Sequence, residues 1–235
     1  MKSLLAGRLL AFLLLSAFSV EALAWQSARR SQGRRQVDVR LIDQQISTAN
    51  ANSYSFTVDL PPPSADRVLL VVVYGLRNEA NRNLNSLTVN GIGITESYGL
   101  GLPMYFRWLK NDSLVGPQTF TATYSGTLDR SGIAVFEVYG WNMQSVDGQY
   151  QNTQVASKSY SYSNIPKGSK ILCLVYNANP NDVVWTNADE VYDVTLESSD
   201  RASVGMRDVV TSGNQSFTVA SAGGAFSITI LLRSK

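Results

Sequence analysis

The chain has no histidine and a single cysteine in 235 residues. Without histidine there is no Ser-His-Asp or Cys-His pairing of nucleophile and base, and no imidazole for zinc. One thiol cannot build a thiolate cage for zinc or an iron–sulfur cluster. Nor can it close a disulfide within the chain, so stability rests on core packing. That thiol, Cys173, sits in Ile171-Leu172-Cys173-Leu174-Val175 and reads as a small buried apolar group. No glycine-rich loop ends in Lys-Ser or Lys-Thr, and no GxGxxG opens a helix. Gly91, Gly93, Gly99 and Gly101 fall between strand patterns and read as turn glycines. No window holds a sustained 3.6-residue apolar stripe, which argues against a helical domain.

The first 24 residues read as a cleavable signal peptide. Lys2 and Arg8 make a basic start, Leu9 to Val20 form an apolar run, and Ala22-Leu23-Ala24 offers small residues to a signal peptidase. A spanning helix needs roughly 20 apolar residues, and Glu21 interrupts the run before that length. The alternative is an uncleaved signal anchor. No second apolar stretch approaches spanning length, so no transmembrane segment is expected after cleavage. The expected location is extracellular, periplasmic or surface-associated. Residues 25–36 carry Arg29, Arg30, Arg34 and Arg35 with no acid, a short basic arm ahead of a mildly acidic body.

From residue 37 onward the apolar period is two. Val37 to Ile42 and Tyr54 to Val58 alternate, and the second stops at Pro61-Pro62-Pro63. Val68 to Tyr74 is continuously apolar and predicts a central strand covered on both faces. Asn78 to Asn85 reads as a loop. Leu87-Thr88-Val89, Asn90-Gly91, Ile92-Gly93-Ile94 is the clearest hairpin, because Asn-Gly supplies the positive φ angles of a two-residue turn. Further strands are expected at 104–109, 119–124, 133–139, 150–156, 160–165, 170–176, 183–185, 191–196, 203–210, 216–219 and 226–232. The class is all-β: a two-sheet antiparallel sandwich, jelly-roll-like.

An internal duplication organises these strands, with pseudo-repeats at about 53–140 and 159–235 inside one continuous domain, 37–235. Ser53-Tyr54-Ser55-Phe56 resembles Ser159-Tyr160-Ser161-Tyr162, Leu69 to Tyr74 resembles Ile171 to Tyr176, and Gln118 to Thr121 resembles Gln215 to Thr218. The spacing shrinks from 106 (Tyr54 to Tyr160) to 97 (Phe120 to Phe217), as when loops shorten in a second copy. The apolar strand Leu69 to Gly75, the Thr88 to Ile94 hairpin and the Gly132 to Trp141 strand together resemble a diffuse group of bacterial and phage exported β-sandwich proteins. Val184-Trp185-Thr186 is their match in the second half. That resemblance implies a jelly-roll-like structure and no activity.

Four kinds of site remain open. Carboxylate hydrolysis needs two acids facing across a cleft, and Glu137, alone on an apolar strand, is the candidate catalytic residue; Glu79, Glu96, Asp129 and Asp147 occupy or flank loops. Calcium, the one cofactor considered, takes hard oxygen ligands from loops, here Asp182, Asp189 and Glu190 with neighbouring asparagines. Tyr98, Tyr105, Trp108, Trp141, Tyr150 and Trp185 lie near strand ends beside amide and carboxylate groups, as rings that stack on sugars do. The arginine arm offers charge to an anionic surface, but lacks the aromatics of a nucleic-acid groove, so nucleic acid is not an expected partner. The function expected is a non-enzymatic exported module that binds a surface polymer, above all carbohydrate, or assembles with itself at a cell or virion surface. The alternative is a carboxylate-dependent polysaccharide-degrading enzyme on the same scaffold.

Overall fold

The computed structural model describes residues 35–76, 82–99, 104–110, 113–177, 183–197 and 200–235. Side chains at 76, 145, 152–155, 197 and 222–224 are not described. The signal segment, Arg29, Arg30, Arg34, Glu79 and Asp182 thus lie outside the described residues. In chain order the strands are β1 (Asp38–Ser47), β2 (Ala51–Leu60), β3 (Val68–Leu76), β4 (Leu84–Val89) and β5 (Ile92–Gly93). Next come β6 (Glu96–Gly99), β7 (Met104–Lys110), β8 (Gly116–Leu128), β9 (Arg130–Tyr139) and β10 (Trp141–Ile165). The remainder are β11 (Lys170–Asn177), β12 (Val184–Thr186), β13 (Asp189–Glu197), β14 (Asp200–Asp208) and β15 (Gly213–Ser234). No helix occurs among the described residues.

The all-β antiparallel class holds, with the strands distributed over three sheets. One runs β1-β9-β3-β7-β6, a second β2-β8-β4-β5, and a third β10-β15-β11-β14-β13 with β12 also on β15. The reason for three lies in β3 and β11, which bury both faces. On β3, Leu69, Val71 and Val73 share a core with Phe56, Val58 and Phe120 of the four-stranded sheet. Leu70, Val72 and Tyr74 point the other way and pack with Leu172, Leu174, Ile228 and Ile230. On β11, Ile171, Cys173 and Val175 meet Tyr160, Tyr162, Phe217 and Val219 in a third core. Period two on a doubly covered strand gives a continuous apolar run. Each fully buried Leu, Ile or Phe contributes about 1.5–3 kcal/mol.

The third core exists because β10 and β15 form a long ribbon that bends over β11. Residues 141–151 of β10 pair with the C-terminal half of β15, and 157–165 with its N-terminal half; the register shifts between Gln151, Val155 and Ser157. The periodicity alone shows these as separate short strands, since a bend leaves alternation intact on both sides. β6 is a strand that the sequence pattern does not indicate, and Leu84 and Asn85, read as loop, open β4. The Asn90-Gly91 turn is as expected, with φ of 48° and 80°.

The paths β1-β9-β3-β7-β6 and β10-β15-β11-β14-β13 run in the same order through the two halves. Ladder positions equate Leu69 with Ile171 and Glu137 with Leu231. Phe56 pairs Phe120 and Tyr160 pairs Phe217, so Tyr54 and Lys158 each lie two residues before an aromatic cross-strand pair. Both reach the strand corner: the Tyr54 hydroxyl donates to the Leu128 carbonyl at 2.8 Å, and Lys158 Nζ donates to the Ala225 carbonyl. It also donates to the Gln151 carbonyl at 3.1 Å.

Lys158 is only 2% exposed, and burial pushes its ammonium down to about 8 from an ordinary 10.5. Depressed in the fold, the amine binds its proton less tightly folded than unfolded. This group therefore destabilises most below about pH 8 and ceases to do so as pH rises toward 10.5. Chemical denaturation at pH 7 and pH 10 is expected to show the gap between Lys158→Met and the parent narrowing by about 2 kcal/mol. A gap independent of pH would mean that the ammonium is solvated.

Candidate functional site

A cleft of about 590 Å³ opens at one end of the space between the five- and four-stranded sheets. Its floor is Glu137. Ile133 and Val135, which precede it on the same face of β9, lie in the core toward the four-stranded sheet, and Glu137 continues that row beyond the core's edge. Register puts Arg40 on one side of it and Leu69 on the other. Its residue exposure is 8%. The Tyr139 hydroxyl donates to Oε2 at 3.0 Å, and the exposed Arg40 guanidinium lies 3.9 Å from Oε1.

The opposite wall is the end of β2. Leu60 faces the core, Asp59 faces solvent, and Pro61 and Pro62 end the strand because proline lacks the N–H the ladder needs. Arg67, fully buried, supports this wall from below by donating to the carbonyls of Pro61 and Leu114. The cleft therefore combines a stiff apolar wall with two carboxylates and a guanidinium.

The corresponding ladder row of the other long sheet path reads Asp147, Leu231, Ile171, Arg207 where the first reads Arg40, Glu137, Leu69, Leu109. Leu231 is fully buried. Arg233 donates twice to Asp147 Oδ2, at 2.9 and 2.6 Å, and also to the Asn164 carbonyl. At the ladder position where Glu137 stands opposite Leu69, the second path has Leu231 opposite Ile171.

The aromatic candidates divide. Tyr105, Trp108 and Trp141 are 7%, 6% and 1% exposed and belong to the cores. The two tryptophans meet edge-on at 5.5 Å. Sugar stacking needs an open ring face, and these three have none; strands that alternate under two sheets draw large rings inward. Tyr98, Tyr150 and Trp185 are half-buried. The Trp185 ring crosses Gly205, and its indole N–H donates to Ser203 Oγ at 3.2 Å. The Tyr98 ring covers Gly148. None of these three lines the cleft over Glu137.

Asp189 and Glu190 are exposed at the start of β13. Among the described residues no group of three His, Cys, Asp or Glu is placed to hold a metal ion. Arg35 is exposed. Burial pushes the Cys173 thiol far up, which keeps it protonated and unreactive. Asp59 and Arg40 are absent from the sequence-based set of candidates. Arg40 is marked only once the β1–β9 register sets it opposite Glu137, and Asp59 only because β2 and β9 line one cleft.

The described chain is an antiparallel all-β sandwich with one acidic cleft. No family model matches it, and no curated protein matches it. Among solved structures, HutD from Pseudomonas fluorescens SBW25 is similar at 14% identity and TM-score 0.30, covering 85% of this chain and 100% of that one. Dimeric latent PorU from Porphyromonas gingivalis is similar at 16% identity and TM-score 0.25, covering 82% of this chain and 22% of that one. Likeness at this level carries no assignment of fold family or function.

Proposed function

We propose that this chain is an exported, non-enzymatic β-sandwich module, built by internal duplication, that binds carbohydrate in the cleft over Glu137. The observation that carries this reading is the contrast between Glu137 and Leu231 at equivalent ladder positions. A carboxylate kept at a nearly buried position where leucine suffices is there for what it contacts. Asp59, Glu137 and Arg40 are groups that engage vicinal hydroxyls, and Pro61 and Pro62 offer a rigid apolar surface to a sugar's C–H face. The basic start and apolar run of the leader support export.

A glycan array probed with the chain from Trp25 onward, with and without calcium, tests this directly. Specific binding is expected, weakened at least tenfold in Glu137→Gln and unaffected by calcium removal. Binding indifferent to Glu137→Gln would move the site elsewhere. An array with no hits would favour self-assembly through the sheet edges, read out by sedimentation.

A second reading is supported by Asp59 and Glu137 sharing one cleft. Two carboxylates across a cleft are the equipment of a glycoside hydrolase. Release of reducing ends from a polysaccharide, lost about 10²–10⁴-fold in Glu137→Gln, would establish that reading. Hydrolysis that survives the substitution would remove Glu137 from any mechanism.

A further inference from the structure

The cleft over Glu137 carries more negative than positive charge. Asp59 and Glu137 line it, against the guanidinium of Arg40. Arg40 is mostly exposed and sits closer to Asp38, which does not line the cleft, than to Glu137: 2.8 Å from Asp38 Oδ2 and 3.9 Å from Glu137 Oε1. Arg67, the buried cation behind the proline wall, donates to the carbonyls of Pro61 and Leu114 and does not line the cleft either.

The two oxygens of Glu137 differ. The side chain is 10% exposed and lines the cleft. The Tyr139 hydroxyl donates to Oε2 at 3.0 Å. Oε1 accepts no hydrogen bond among the described residues, and 3.9 Å to Arg40 is too long for one. A ligand seated on this floor strips water from a carboxylate that is already poorly solvated. A neutral hydroxyl would replace the lost hydrogen bond but leave the charge uncompensated, which costs free energy. A primary ammonium brings N–H donors and the opposite charge together, and charge-assisted hydrogen bonds are the strong ones.

We infer that the sugar this cleft takes is an amino sugar, with its free ammonium donating to Glu137 Oε1 and its C–H face against Pro61 and Pro62. Asp59, exposed near the end of β2, adds the second negative charge. This inference rests on the carbohydrate reading of the same cleft and narrows it to one substrate class. Acetylation of the amine removes its charge and adds bulk, so the acetylated sugar is the weaker ligand.

Calorimetric titration of the full chain at about pH 6, where a sugar amine is protonated, tests this with four probes. They are the glucosamine trimer of chitosan, its N-acetylated form, cellotriose, and cadaverine as an amine with no ring. The glucosamine trimer should bind saturably and about tenfold more tightly than cellotriose or the acetylated trimer. Glu137→Gln should abolish that preference and Asp59→Asn should reduce it, with circular dichroism verifying the fold of each variant. Equal binding of cellotriose and the glucosamine trimer would overturn the amine and leave the carbohydrate reading standing. Cadaverine binding as tightly as the trimer would keep an ammonium on Glu137 but overturn the sugar, and the carbohydrate reading with it. No binding of either amine, or a preference that survives both substitutions, would overturn the inference.

Discussion

Phe136→Ala should lower folding stability by about 3–5 kcal/mol and shift a single unfolding transition that both halves share. Phe136 is 1% exposed and pairs with Leu70 on one side and Leu41 on the other. Its ring lies 6.5 Å from that of Tyr192, which belongs to the second half. The same core holds Leu172, Ile228 and Ile230. Truncation therefore opens a cavity walled by both halves, and neither can collapse into it without the other. Urea melts followed by tryptophan fluorescence and far-ultraviolet circular dichroism should move together with an unchanged slope. Two separated transitions, only one of them shifted, would mean that the halves are stable independently.

Gly132→Ala is expected to cost about 2–3 kcal/mol, through overpacking. Gly132 pairs with Tyr74 across β3 and β9, and a Cβ at Gly132 would stand 2.2, 2.5 and 2.7 Å from Tyr74 Cε2, Cζ and the hydroxyl oxygen. Elsewhere a ring could swing aside. Here Tyr74 is fully buried and packed near Tyr192 at 6.4 Å between ring centres, so it has no free volume. Tyr74→Leu, which is destabilising alone, should cost less in the Gly132→Ala background because the obstructing atoms are gone. Strictly additive losses would show that the ring is not the obstacle.

Much of the scaffold was legible because its physics is local. Alternation marks Tyr54, Phe56 and Val58 as one inward face, and Asn90-Gly91 specifies its own turn. Continuity of apolar residues from Val68 to Tyr74 showed that β3 would be covered twice. It did not show by what, since both covering layers come from segments distant in sequence. The same limit applies to the sites. Trp108 and Trp141 sit near strand ends, where a ring is as well placed for solvent as for a neighbouring sheet, and only the packing of one half on the other decides it. Glu137 stood out as an acid on an apolar strand, whereas Asp59 became a candidate only when β2 and β9 were seen to share a cleft.

In each half the last strand occupies an inner position: β9 sits between β1 and β3, and β15 between β10 and β11. However the chain is delivered, then, the opening strand of each half stays without its ladder partner until the closing strand is available. For β10 that closure joins Trp141 to Ser234, so the second half is completed by its last strand and a chain cut short before β15 leaves β10 unpaired.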